Sequence, residues 1–192
     1  FATPHFSMLW NDSIPVIDHK DANGNTTTIR VIAGNYADRN APPPPPESWA
    51  ARPESDLAIL TLRLTPNAQV SLPEVRPDTQ RSLYFFKGTA ITIGGKTFQS
   101  GHRLDLEPEG PVHIQNGEEP SELLLLAAHP IGEPVVQYGP FVMNTATEIH
   151  QAFADYRTTR FGGWPWETDG PIHGSESKRF ARYGDGKHEE PV

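Results

Sequence analysis

A chain of 192 residues holds one domain with decorations or two very small ones, and its formal net charge of -8 argues against a general nucleic-acid footprint. The absence of cysteine excludes disulfides, thiolate nucleophiles and cysteine-ligated zinc, and it fits a cytoplasmic protein. No apolar run approaches the roughly 18 residues that a spanning helix needs, so no membrane association is expected. The first residue is Phe1 rather than Met and no charged-then-apolar leader is visible. We therefore expect a piece cut or processed from something longer, without a signal peptide.

Residues 1–25 read as an extended lead-in, apolar at Phe6, Met8, Leu9 and Trp10 and again from Ile14 to Ile17. Asp21-Ala22-Asn23-Gly24 is tight-turn chemistry, and the β-branched run 26–33 reads as the second arm of a hairpin. Residues 35–55 form a long loop containing Pro42 to Pro46. Five consecutive prolines favour polyproline II and cannot sit in a central strand. The run is either a docking peptide for a proline-reading partner or a stiff loop lying along the domain, its end pinned by Trp49. It lacks flanking basic residues, which favours the stiff loop.

Short strands follow, predicted over 57–64, 69–72, 83–86, 90–93, 96–98, 103–106, 112–115 and 122–128, with Gly88 and Gly94-Gly95 as breaks. Turn signals at this spacing with no intervening helix indicate a sandwich or small barrel and exclude a parallel βαβ sheet. A helix is predicted from Thr145 to about Arg157. Thr145 and Glu148 make a capping box, and Ile149, Ala152, Phe153 and Tyr156 recur at helical spacing. Gly162-Gly163 end it, and Trp164-Pro165-Trp166 follows in extended form. The expected division is a lead-in hairpin and Pro-rich loop over 1–56, a barrel over 57–128, and a helix and extended tail of the same domain over 129–192.

The strand series resembles a cupin barrel. Such barrels mark their metal site with two segments, the first carrying His-x-His and Glu, the second another His after a Gly…Pro-x-Gly turn. The second segment is nearly intact: Gly101, Pro108, Gly110 and His113 fall in order, with Asn116 after them. In the first, the ligand places hold Val75, Pro77 and Arg81. Neither Val nor Pro ligates through its side chain, and a guanidinium repels a metal. We expect a barrel without its metal, with His113 hydrogen-bonded or partly exposed. His113 and Arg81 are the candidate residues of a residual pocket. An arginine in a ligand place could bind an anion such as a carboxylate, or pair with a rim acid such as Asp78.

The remaining histidines, His5, His19, His102, His129, His150, His173 and His188, form neither His-x-His nor His-x-x-x-His. Lys178, Arg179 and Arg182 are balanced by Glu176, Asp185, Glu189 and Glu190, as on solvated surface.

PIGEPVVQYGPFVMNT followed by a helix and FGGWPW resembles the C-terminal domain of the pirin family. The likeness runs back through PPPESWAARPESDLAI, TIRVIAG and PHFSMLWNDSIP, and forward to RFARYGDGKHEEP, so it covers nearly the whole chain. It implies an all-β fold: a cupin-type double-stranded β-helix barrel with an N-terminal extension and one or two C-terminal helices. It also implies that this half is the metal-free one, with no catalytic or cofactor-binding residue, and that iron (Fe2+) sits in an N-terminal cupin half. Some pirins cleave quercetin with dioxygen. Others are iron-dependent transcriptional co-regulators or stress-linked proteins that bind proteins rather than DNA. The expected partner is the N-terminal cupin domain or another protein, in the cytoplasm, or the nucleus in a eukaryote. The candidate domain interface is Phe6, Met8, Trp10, Tyr138 and Phe141.

Overall fold

The computed structural model describes residues 2–164, 166–167 and 178–191. The fold starts from the Asn-Gly turn. Strands β1 (Val16–Lys20) and β2 (Thr26–Ala33) pair antiparallel across it, and Gly24 takes the left-handed φ of 83° that the turn requires. Asp21 closes the turn: one carboxylate oxygen accepts the amides of Asn23 and Asn25, each at 2.9 Å. The hairpin was expected to lie outside the barrel, but β2 is a strand of it. Ile29 and Val31 have no exposed surface and belong to the core. The proline loop only interrupts the sequence; β2 resumes pairing across it, with Ile29 opposite Leu62.

Two short strands, β3 (Asn35–Tyr36) and β4 (Arg39–Asn40), precede the loop. Trp49 does pin its end, donating its indole N–H to the His129 carbonyl at 3.0 Å. The barrel strands then run β5 (Ala58–Leu64), β6 (Gln69–Leu72), β7 (Gln80–Lys87), β8 (Ala90–Ile93), β9 (Lys96–Gln99), β10 (His102–Leu106), β11 (Val112–Asn116) and β12 (Ser121–Ala128). They form a six-stranded sheet ordered β1-β2-β5-β12-β7-β10 and a four-stranded sheet ordered β6-β11-β8-β9. Every pairing is antiparallel. Strict alternation puts Leu60, Leu62, Leu83, Phe85 and Leu123 on the inner face of one sheet, and Val70, Leu72, Ile91 and Ile114 on that of the other. These residues make one apolar cluster. Burying each large side chain stabilises by about 1.5–3 kcal/mol. This is an all-β cupin-type barrel with a C-terminal helix.

The chain divides into two compact units, Phe1–Ile131 and Gly132–Val192, where the sequence suggested one domain through the tail. The second unit opens with a hairpin of β13 (Val136–Tyr138) and β14 (Phe141–Met143), followed by helix α1 (Ala146–Thr159). The capping box is present: Thr145 Oγ1 accepts the Glu148 amide at 3.2 Å, and Glu148 Oε2 accepts the Thr145 amide at 2.8 Å. Helix α1 ends at Thr159, and one 3-10 turn over Arg160–Gly162 carries the chain to the glycines expected to end the element. Arg160 and Phe161 adopt left-handed φ of 49° and 50°, and the Phe161 amide donates to Thr159 Oγ1 at 3.0 Å. This turn brings the Phe161 ring to 5.4 Å from Tyr156 and 5.9 Å from Phe141. Strands β15 (Ala181–Arg182) and β16 (His188–Glu189) form a last hairpin. Within the basic cluster, Arg182 lies over the Trp166 ring at 4.4 Å. Pro165, His173 and Glu176 lie outside the described residues. Among the described residues no helix is long and apolar enough to cross a membrane.

Candidate functional site

Arg81 sits on the inner face of β7, in line with Leu83 and Phe85, and is 2 % exposed. Three backbone carbonyls hold its guanidinium. Nη1 donates to Pro73 at 2.8 Å, in the loop after β6. Nη2 donates to Glu107 and, at 3.5 Å, to Gly110, both in the turn between β10 and β11. Nε is buried without a partner. Asp78 stays exposed in the turn before β7, and among the described residues no carboxylate pairs with Arg81. Burial holds the guanidinium below its usual pKa.

A cavity of about 590 Å³ opens beside this group, lined by Tyr36, Leu60, Leu72, Val75, Arg81 and Leu125 among others. Asp56 shapes its rim. The backbone of Asp56 is left-handed (φ 45°), and its Oδ2 accepts Thr79 Oγ1 at 2.6 Å and the Arg76 amide at 3.3 Å. A cupin metal needs imidazole and carboxylate donors converging on one point. Here the interior offers a fixed cation and the aliphatic Val75, and these residues do not fit a metal ion. Among the described residues no group of three or more His, Asp or Glu could hold one.

His113 is placed elsewhere. On β11, Ile114 and Asn116 point inward and His113 points out. Its Nδ1 lies 3.0 Å from Ser71 Oγ, directly across the strand pair. The structure therefore does not bring His113 and Arg81 together. Sequence spacing locates a strand residue but not its face, which one residue of register reverses. A broad groove of about 970 Å³ runs past His113, with His19, Asp21, Ser71 and Asp105 in its wall. In that wall Asp105 takes Ser82 Oγ at 2.8 Å and two nitrogens of Arg103, which hold its carboxyl below the usual range.

Asn116 is a buried anchor, donating to the Thr65 and Glu119 carbonyls at 2.8 and 2.9 Å. Tyr36 and Asp56, which shape the cavity mouth, carried no signal in the sequence because both lie in or beside the irregular loop. Of the proposed interface residues, Phe6 and Tyr138 are mostly exposed, while Met8 and Trp10 are half-buried. Phe141 packs within its own unit, 4.8 Å edge-on to Phe153.

Residues 59–162, more than half of the chain, match the family described as the pirin C-terminal cupin domain. Pirin of Homo sapiens is 36% identical over 108 residues, covering 54% of this chain and 37% of that protein. A pirin-like protein of Solanum lycopersicum is 45% identical over 90 residues, covering 45% of this chain and 31% of its own. Among solved structures, quercetin 2,3-dioxygenase from Acinetobacter baumannii superposes with a TM-score of 0.64 at 30% identity, covering 81% of this chain and 50% of that one. The chain spans half the length of these relatives or less. With the capping box, the helix and the barrel strands after β5 inside the matched span, the chain belongs to the pirin family, of which it carries the C-terminal cupin domain.

Proposed function

We propose that this domain is the metal-free half of a two-cupin protein, and that it covers and completes an iron site carried by an N-terminal cupin half. The observation that carries the reading is Arg81. A buried cation tied to three carbonyls, at the position the cupin resemblance gives to a metal ligand, supports a division in which the other half supplies the chemistry. The lengths of the relatives leave room for a second half. The likeness to quercetin 2,3-dioxygenase from Acinetobacter baumannii makes oxidative cleavage of a flavonol the first activity to test in the longer protein. This chain's own part is to shape and dry one wall of the shared site.

The test is complementation. The longer protein, or this chain mixed with a separately expressed N-terminal half, should consume oxygen with quercetin, and this chain alone should not. Oxygen uptake by this chain alone would overturn the assignment.

A second reading is a non-enzymatic interaction module of an iron-dependent regulator. It is favoured by Tyr138, Val142 and Phe161, which the second unit leaves 68%, 55% and 57% exposed. Exposed aromatic and aliphatic groups of this kind mark protein-binding surfaces. Binding of the N-terminal half without any oxygen uptake by the complex would favour this reading.

A further inference from the structure

We propose that the cavity beside Arg81 is an anion site that takes a small organic carboxylate with an apolar body. The inference does not depend on an N-terminal half, because the whole site lies within Phe1–Ile131.

The charge of Arg81 is unbalanced. A buried guanidinium is ordinarily matched by a carboxylate, because taking a charge out of water is costly unless it is paired. Arg81 has only carbonyl dipoles, and its Nε–H has nothing. The acids nearest the opening do not make up the deficit. Asp56 is engaged by Thr79 and the Arg76 amide, and Glu74 lies in an exposed loop. An unpartnered polar atom on a side chain this buried is a vacancy in the hydrogen-bond inventory. It lies on a side chain that lines a cavity of about 590 Å³, within the range of about 300–1,000 Å³ typical of small-molecule sites.

The lining defines the ligand. Leu60, Leu72, Val75 and Leu125 offer an aliphatic wall, and Tyr36 an aromatic one. Such walls recognise a hydrocarbon or ring. One free N–H on Arg81 suits a single carboxylate. Arg52 and Arg76 also line the cavity, but Arg52 is drawn over the Trp49 ring at 5.7 Å and Arg76 is exposed, so neither is held in the interior as Arg81 is. Asp56 and Glu74 at the rim would repel a second negative charge.

The test uses the full chain, 15N-labelled, with sodium benzoate as probe and benzamide as its neutral match. Arg81→Lys identifies the Arg81 Nε–Hε cross-peak by its disappearance. Benzoate should shift that peak saturably, and benzamide should bind at least about tenfold more weakly, the difference a charge-assisted bond makes. Ala58→Met, which fills the cavity from β5, should abolish the benzoate response while the remaining cross-peaks stay native. If that variant does not fold, the wild-type titration decides alone. An unmoved peak, equal response to benzamide, or undiminished benzoate binding by folded Ala58→Met would each overturn the site and leave Arg81 as a staple between loops.

Discussion

The Asp21 carboxylate accepts a hydrogen bond from the Gln69 amide at 3.0 Å. One residue lies in the turn of the β1–β2 hairpin and the other opens β6, so a single side chain ties the edge of one sheet to the other. Burial alone would raise the Asp21 pKa, but hydrogen bonds from Gln69, Asn25 and Asn23 together outweigh it and hold the carboxyl low. The lowered folded-state pKa fixes the sign: Asp21 stabilises the fold above its unfolded pKa of about 3.9, and this is lost as pH falls through the lower folded value. Asp21→Asn should unfold more easily than wild type at pH 7, and the difference should narrow in acid. Urea unfolding across that pH range checks it; a constant difference would show that the charge plays no part.

Phe153→Ala should cost about 1.5–3 kcal/mol, less than the 3–5 expected for a fully buried ring. Phe153 is half-buried, between Phe141 at 4.8 Å and Tyr138 at 5.8 Å. Thermal unfolding followed by near-ultraviolet circular dichroism reports the cluster directly, and an unchanged melting temperature would show that the rings contribute nothing.

Thr145→Ala should cost about 1 kcal/mol through loss of the cap. The effect should be local. Amide exchange in the first turn of α1 should speed up, most at Glu148, whose amide loses its acceptor. Unaltered exchange there would mean that Glu148 alone holds the helix start.

Gly34→Ala should destabilise by at least about 1–3 kcal/mol, the cost of holding an ordinary residue in left-handed backbone. Gly34 has φ 75°, and an added Cβ would collide with the Leu57 carbonyl oxygen where the chain enters β5. Expression and unfolding of the variant check this, and a native melting temperature would contradict it.

Much of the fold was legible because local rules act locally. Gly94-Gly95 makes the two-residue turn between β8 and β9, both with positive φ, as its sequence demanded. Thr145 and Glu148 announced the helix start. What the sequence hid depends on long-range pairing. The proline loop separates β2 from β5 along the chain, so β2 looked like an appendage although Ile29 is in the core. His113 kept its place in the motif while its side chain faces away from the barrel interior. Arg81 was legible as an anomaly, a cation in a ligand place, but the ion pair with Asp78 that could have explained it is not made among the described residues. Its carbonyl partners could not be foreseen, since Pro73, Glu107 and Gly110 reach it only through loop geometry.

The central claim, that Arg81 replaces rather than accompanies a metal, is tested most directly by elemental analysis. The chain should be incubated with Fe(II), Zn(II) or Ni(II), desalted, and measured beside the longer protein treated the same way. The account predicts well under one equivalent in the chain and stoichiometric iron in the longer protein. A stoichiometric ion retained by the chain alone would contradict it.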